Sequence, residues 1–153
     1  MELTGYFDAM GKATKEYSRY LEPVCKRWNL TQNEMAVLLF LYNNPGRDRA
    51  ADIVECRGIA KSHVSLAVSN LEQRKILTRH FEPTDRRTSH LALTEHGKEI
   101  AREGKERQRA FFLHGPAAMV PLQGTGGRCH RPARFHHLPR GEWQVPEMLL
   151  GRF

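Results

Sequence analysis

Within nine residues the chain presents Lys61, Ser62, His63, Ser65 and Ser69, and Asp85-Arg86-Arg87 follows shortly after. Small hydroxyls and cations in this pattern donate hydrogen bonds to anionic oxygens and to polar edges; they hold a charged surface without cleaving it. Nothing in the chain resembles the sets that break covalent bonds. There is no Ser/His/Asp arrangement, no Gly-rich phosphate loop and no paired carboxylates suited to a cleft. Neither enzyme activity nor a cofactor is expected. Cys129-His130 with His136-His137 offers four metal-binding side chains, but the spacing fits no common zinc finger and no second cysteine pair accompanies it. A chance cluster in a His-rich stretch is the better reading. Cys25 lies on an apolar helical stripe, which favours a packed thiol with a raised pKa over a redox sensor, and Cys56 reads the same way.

The composition bounds what can position these residues. In 153 residues there are 24 Lys+Arg against 17 Asp+Glu, a net charge of +7, with a 40% apolar share that can bury one modest core. The longest apolar run, Met35 to Tyr42, is far too short to span a membrane, and Glu2, Asp8 and Lys12 interrupt any signal peptide. Three cysteines argue against a disulfide scaffold and fit a reducing cytoplasm. Composition changes after Leu113: Gly and Pro number 9 in residues 1–113 and 11 in residues 114–153, where lysine is absent. Prolines at 116, 121, 132, 139 and 146 cannot sustain a helix, so an irregular or disordered tail is expected there. Either a shifted reading frame or an authentic divergent tail would produce that change.

Upstream, periodicity predicts the elements. Apolar positions from Tyr6 through Phe7, Met10, Ala13, Tyr17, Leu21 and Val24 to Trp28 form the stripe of an amphipathic helix. Pro23 inside it predicts a kink or break. Thr31-Gln32-Asn33-Glu34 reads as a capping box opening a helix through Tyr42. Asp48 is expected to cap a short helix to about Arg57, Gly58-Ile59-Ala60 to make a tight turn, and a further helix to run from Lys61 to Arg74. Alternation in Leu77–Phe81 and in His90–Thr94, with the polar stretch 82–89 between, predicts a long-tipped hairpin. Thr94 then caps a charged helix to about Leu113.

Two short helices with a Gly-containing turn, followed by a hairpin, form the winged helix-turn-helix arrangement. On a helical wheel, Val64, Ala67, Val68 and Leu71 face inward toward Leu38, Ile53, Val54 and Ile59. Ser62, Ser65, Leu66, Ser69 and Gln73 face out, with Lys61 and His63 in the first turn. Charge follows the same division. From Arg57 to His90 seven basic side chains oppose three acidic ones, a net +4; from Thr31 to Cys56 two basic oppose four acidic, a net −2. Adjacent arginines at a hairpin tip suit the minor groove of DNA.

Three stretches match a known pattern: Leu30-Thr31-Gln32-Asn33-Glu34 leading into Val37–Leu41; Ala51-Asp52-Ile53-Val54 with Ile59–Ser65 and Asn70-Leu71-Glu72; and Asp85-Arg86-Arg87 followed by Leu91-Ala92-Leu93-Thr94-Glu95-His96-Gly97. Over about residues 1–113 the chain resembles the MarR-type winged-helix transcription regulators of bacteria and archaea. The resemblance implies a homodimer that binds double-stranded DNA at a pseudo-palindromic operator and represses transcription until a small molecule or oxidant releases it. It also implies that Lys61, Ser62, His63, Ser65 and Ser69 meet phosphate and major groove. Arg87 would lie in the minor groove, Asp85 would orient the wing, and Arg86 would assist at the backbone.

The expected fold is mainly α (α+β). It comprises an N-terminal dimerisation helix (1–29), a winged helix-turn-helix DNA-binding domain (30–94), a helix linking to the dimer region (95–113) and the irregular tail (114–153). Departures accompany the resemblance. Lys75 stands where relatives usually have Gly and must take a left-handed conformation or alter the turn. Leu66 occupies an outward position where a polar or basic residue is expected; it would contact a thymine methyl or lower specificity. The usual final dimer helix has no counterpart after Leu113. Tyr6, Met10, Tyr17 and Trp28 are the candidate effector-lining residues, although such aromatics more often serve packing. Two alternatives stand beside the repressor: a winged-helix protein-interaction module, which has no need of Arg86 and Arg87, and a regulator whose dimer the tail disables.

Overall fold

The computed structural model describes residues 3–85 and 87–114, with side chains from residue 10 onward. The element order is α1 (Leu3–Trp28), α2 (Gln32–Asn43), α3 (Ala50–Arg57), α4 (Lys61–Gln73), β1 (Leu77–Phe81), β2 (Ser89–Leu93) and α5 (Glu95–His114). The expected tail from residue 115 onward, the question of its reading frame and the Cys129, His130, His136 and His137 cluster lie outside the described residues. No described helix is long and apolar enough to cross a membrane.

At the centre is α2, whose Met35, Val37, Leu38, Leu39 and Phe40 are all buried. A helix apolar on nearly every side must be surrounded, and α1, α4 and α5 pack around it. Its start is the expected capping box: the Thr31 hydroxyl accepts the Glu34 N–H at 3.2 Å, and a Glu34 carboxylate oxygen accepts the Thr31 N–H at 2.9 Å. Two expectations are corrected. Instead of breaking at Pro23, α1 runs through it; Pro23 and Arg19, whose carbonyl loses its helical partner, are both exposed, so solvent can satisfy that carbonyl. Nor does Asp48 cap α3. The N-cap is Arg49, whose N–H donates to the Asp52 carboxylate at 3.2 Å, and Asp48 is drawn off to the hairpin.

Cys25 is a buried free thiol, pushed up to about 11 chiefly by burial. Cys56 is also buried.

The hairpin is antiparallel, with Leu77 opposite Leu93, Arg79 opposite Leu91 and Phe81 opposite Ser89. Leu77 and Leu91 reach the core, while Phe81 lies beyond its edge and is exposed. Lys75 takes the left-handed conformation, φ 57°. Its N–H donates to the Glu72 carbonyl and the Ile76 N–H to the Leu71 carbonyl, each at 2.9 Å, which closes α4 and turns the chain into β1. A non-glycine residue there costs about 1–2 kcal/mol, partly offset by the smaller entropy it loses on folding. Lys75→Gly is therefore expected to raise unfolding stability by about 0.5–1 kcal/mol. The readout is a higher denaturant midpoint at unchanged slope; a lower midpoint would show that the lysine side chain contributes more than its backbone costs.

Candidate nucleic-acid interface

The inward face of α4 is Val64, Ala67, Val68 and Leu71, all buried, and these join Leu38, Ile53, Val54 and Ile59 in one core cluster. Packing of that face fixes which residues turn outward: Lys61, Ser62, His63, Ser65, Leu66, Ser69 and Gln73 are exposed. Ala60 is the N-cap and makes no side-chain cap bond; the His63 N–H donates to the Ala60 carbonyl at 3.0 Å, and the N–H groups of Lys61 and Ser62 receive no side-chain cap. Backbone donors and the positive end of the helix dipole thus stand beside Lys61 and Ser62.

Two polar tethers hold α4 at a set angle. Asn70 donates its side-chain amide to Glu34 at 3.0 Å. Glu34 is 4% exposed; one of its oxygens closes the α2 cap and the other holds α4. At the far end, the Arg74 guanidinium donates to the Asn29 carbonyl at 2.8 Å and the Trp28 carbonyl at 2.6 Å, tying the end of α4 to the end of α1. Trp28 in turn donates its indole N–H to Glu103 of α5 at 2.7 Å.

The wing loop is built on Asp85. Its two carboxylate oxygens accept the Arg87 N–H at 2.9 Å and the Thr88 hydroxyl at 2.7 Å. The Thr88 hydrogen bond, and after it the Arg87 N–H, hold the Asp85 carboxyl below the usual carboxylate range. Arg87 is exposed and its side chain makes no ion pair among the described residues, so the loop presents a cation at its surface. Arg86 lies outside the described residues. At the wing base His90 sits between two carboxylates, 2.8 Å from Asp48 and 3.5 Å from Glu82, and the Leu91 N–H donates to the Asp48 carbonyl at 2.7 Å. Arg79 pairs with Glu72 of α4 at 3.2 Å. The wing is thereby pinned to the loop before α3 and to α4.

The positive charge of this region is thus not all surface charge. Arg57 is half-buried, and burial pulls its pKa down against the favourable Tyr17 hydroxyl; it lies over the Phe40 ring at 5.9 Å. Arg74 and Arg79 serve the tethers. Lys61, Lys75 and Arg87 are exposed and make no ion pair among the described residues.

The three candidate effector residues whose side chains are described are not brought together. Met10, Tyr17 and Trp28 are strung along α1, and the eighteen residue steps from Met10 to Trp28 correspond to about 27 Å of helix. The Tyr6 side chain lies outside the described residues. Tyr17 instead belongs to a buried polar chain. Its hydroxyl accepts the Gln108 amide at 3.0 Å, Gln108 accepts the Asn43 amide at 3.2 Å, and Asn43 Oδ1 has no partner among the described residues. Burial pushes the Tyr17 pKa up, opposed by Arg57. A cavity of about 380 Å³ opens elsewhere, between Leu41 and Tyr42, the 44–48 loop, β2 and Lys98. Gln108, Asn43 and Arg57 escape sequence reasoning because a single polar residue on an apolar stripe looks like an imperfection; only the fold shows three of them converging. Glu34 carries a visible signal, since a capping-box carboxylate has a second oxygen to place.

Comparison with known proteins agrees with this geometry. Residues 28–88, from the end of α1 to the wing tip, match the model of the MarR family. The fold is similar to transcriptional regulator Tm0710 from Thermotoga maritima, at 26% identity over 71% of this chain and 76% of that one, with a TM-score of 0.54. It is similar to S. aureus MepR in a complex with DNA, at 18% identity over 67% and 83% and a TM-score of 0.53. It is also similar to Bordetella bronchiseptica BpsR, whose DNA binding is regulated by 6-hydroxynicotinic acid, at 23% identity over 76% and 89% and a TM-score of 0.58. No curated protein compared with the chain matches it. The helix-turn-helix with its exposed outward face and the Asp85 turn of the wing both fall within residues 28–88, the stretch that is similar to the MarR family.

Proposed function

We propose that the chain is a cytoplasmic DNA-binding transcription regulator, a repressor acting as a homodimer on a pseudo-palindromic operator. In this reading α4 enters the major groove. Lys61, Ser62, His63 and the uncapped N–H groups of Lys61 and Ser62 engage phosphate, and Ser65 and Ser69 lie nearer the bases. Arg87, with Arg86 beside it, enters the flanking minor groove, and Asp85 sets the loop that aims them. The observation that carries the proposal is the conjunction of an uncapped, hydroxyl-lined, exposed helix face with an exposed arginine on an ordered wing tip. Neither is required by the core beneath. The divisions 1–29, 30–94 and 95–113 serve as dimer helix, DNA-binding domain and connecting helix.

A small-molecule effector belongs to the same reading. Of the three expected lining residues whose side chains are described, Tyr17 is the one in contact with a buried polar chain, alongside Gln108, Asn43 and Arg57, at the junction of α1, α2, α3 and α5. A ligand there would act on α1 and α5 together, and Arg74 would pass the change to α4.

Light scattering of the purified chain, paired with gel shifts on duplexes flanking its own gene at two salt concentrations, tests the function. A dimer that retards a discrete fragment, and does so less at higher salt, is the expected result. A chain that retards no fragment at low salt overturns the regulator reading, and a stable monomer that binds DNA overturns the dimer alone.

A further inference from the structure

The outer face of α4 holds one residue that phosphate contacts do not use. Leu66 is 61% exposed, the most exposed large hydrophobic side chain among the described residues. It contributes nothing to the core, whose contacts with α4 are made by Val64, Ala67, Val68 and Leu71. A lone exposed leucine is ordinary on a protein surface, so its exposure carries little; its position carries more. Four residues before it is Ser62 and three after it is Ser69, its neighbours along the helix surface, and both are short and exposed. Leu66 therefore stands proud as the one apolar knob in the middle of a face of hydroxyls, with Lys61 and His63 at its N-terminal end.

That placement has one good chemical complement in the major groove. Thymine alone presents a methyl group there, whereas guanine, cytosine and adenine present acceptors and donors that an isobutyl side chain would desolvate without pairing. Resting on the DNA-binding reading above, we propose that Leu66 is a specificity-determining residue: its methyls seat against the C5-methyl of a thymine, once in each operator half-site. The serines on either side let the helix backbone approach closely enough for a leucine to reach the groove floor. Leu66 thus adds positive preference for an A·T pair and penalises a G·C pair by leaving its polar edge unpaired.

The test begins by selecting binding duplexes from a random pool with the full-length chain. Each thymine of the selected site is then replaced in turn by uracil, which lacks only the methyl group. For the wild type, one uracil position per half-site is expected to weaken binding about fourfold, the worth of burying one methyl. Leu66→Ala should bind the thymine and uracil duplexes equally, while its thermal midpoint stays at the wild-type value because the side chain is exposed. Wild-type binding that is indifferent to every uracil, or Leu66→Ala that keeps the discrimination, overturns the assignment and leaves the regulator reading standing. A selection that enriches no sequence overturns the regulator reading itself.

Discussion

Arg87→Ala is expected to weaken binding to a selected operator about tenfold and to flatten the dependence of log affinity on log salt by about one unit. The argument rests on where the arginine is held and on what holds it. Asp85 grips the Arg87 backbone N–H, not its guanidinium, so the substitution leaves both hydrogen bonds of the wing loop intact. The side chain is exposed and makes no ion pair among the described residues. Stability should therefore stay within about 0.5 kcal/mol of wild type, as for most surface changes, which separates a lost DNA contact from a lost fold. Gel shifts or fluorescence anisotropy at three or more salt concentrations give the slope. A variant with wild-type slope and affinity would remove Arg87 from the interface. The same result would favour the winged-helix interaction module.

Gly97→Ala is expected to destabilise the fold by about 2–3 kcal/mol, against the roughly 1 kcal/mol that alanine gains over glycine in an open helix. The sign is settled by contact. A Cβ at Gly97 would drive into the Ile76 carbonyl oxygen and crowd the Ile76 side chain. That carbonyl cannot retreat, because it already accepts the Thr94 N–H at 3.1 Å and the Thr94 hydroxyl at 2.9 Å. The Thr94 hydroxyl oxygen in turn accepts the Gly97 N–H at 3.1 Å. Thr94 and Gly97 thus form a single joint that presses the first turn of α5 against the start of β1. Chemical denaturation reads the loss directly, and a variant as stable as wild type would show that α5 can shift without cost. Gly104, whose added Cβ would meet the flexible end of Met35, is the natural comparison and should suffer less.

This joint explains part of what could be read in advance. The spacing from Leu93 through Thr94 to Gly97 is a local requirement of a strand that turns at once into a helix, so it leaves a mark in the sequence. The same holds for Thr31 and Glu34 at the α2 cap, for Gly58 at φ 62°, and for the face of α4, where periodicity alone separates Val64, Ala67, Val68 and Leu71 from the serines. Long-range partners leave no such mark. Asp48 has the composition of a helix cap, yet it serves His90 and Leu91, more than forty residues away, because the hairpin folds back onto the loop before α3. Pro23 looks like a break and is not one, since the cost of the lost hydrogen bond depends on whether the freed carbonyl meets water or core.

The charge shows the division most plainly. Sequence alone determined that basic residues concentrate between Arg57 and His90, that a hydroxyl-bearing helix and an Asp-Arg-Arg tip lie among them, and that these elements form a winged helix-turn-helix. Those properties are set by composition and by periods of two and 3.6, which are local. Only the tertiary structure decided which cations face outward. It half-buries Arg57 beside Tyr17, spends Arg74 on the end of α1 and pairs Arg79 with Glu72, leaving Lys61, Lys75 and Arg87 exposed and without an ion pair among the described residues. A charge is a property of the residue; its availability depends on which carbonyls and carboxylates the fold brings within reach.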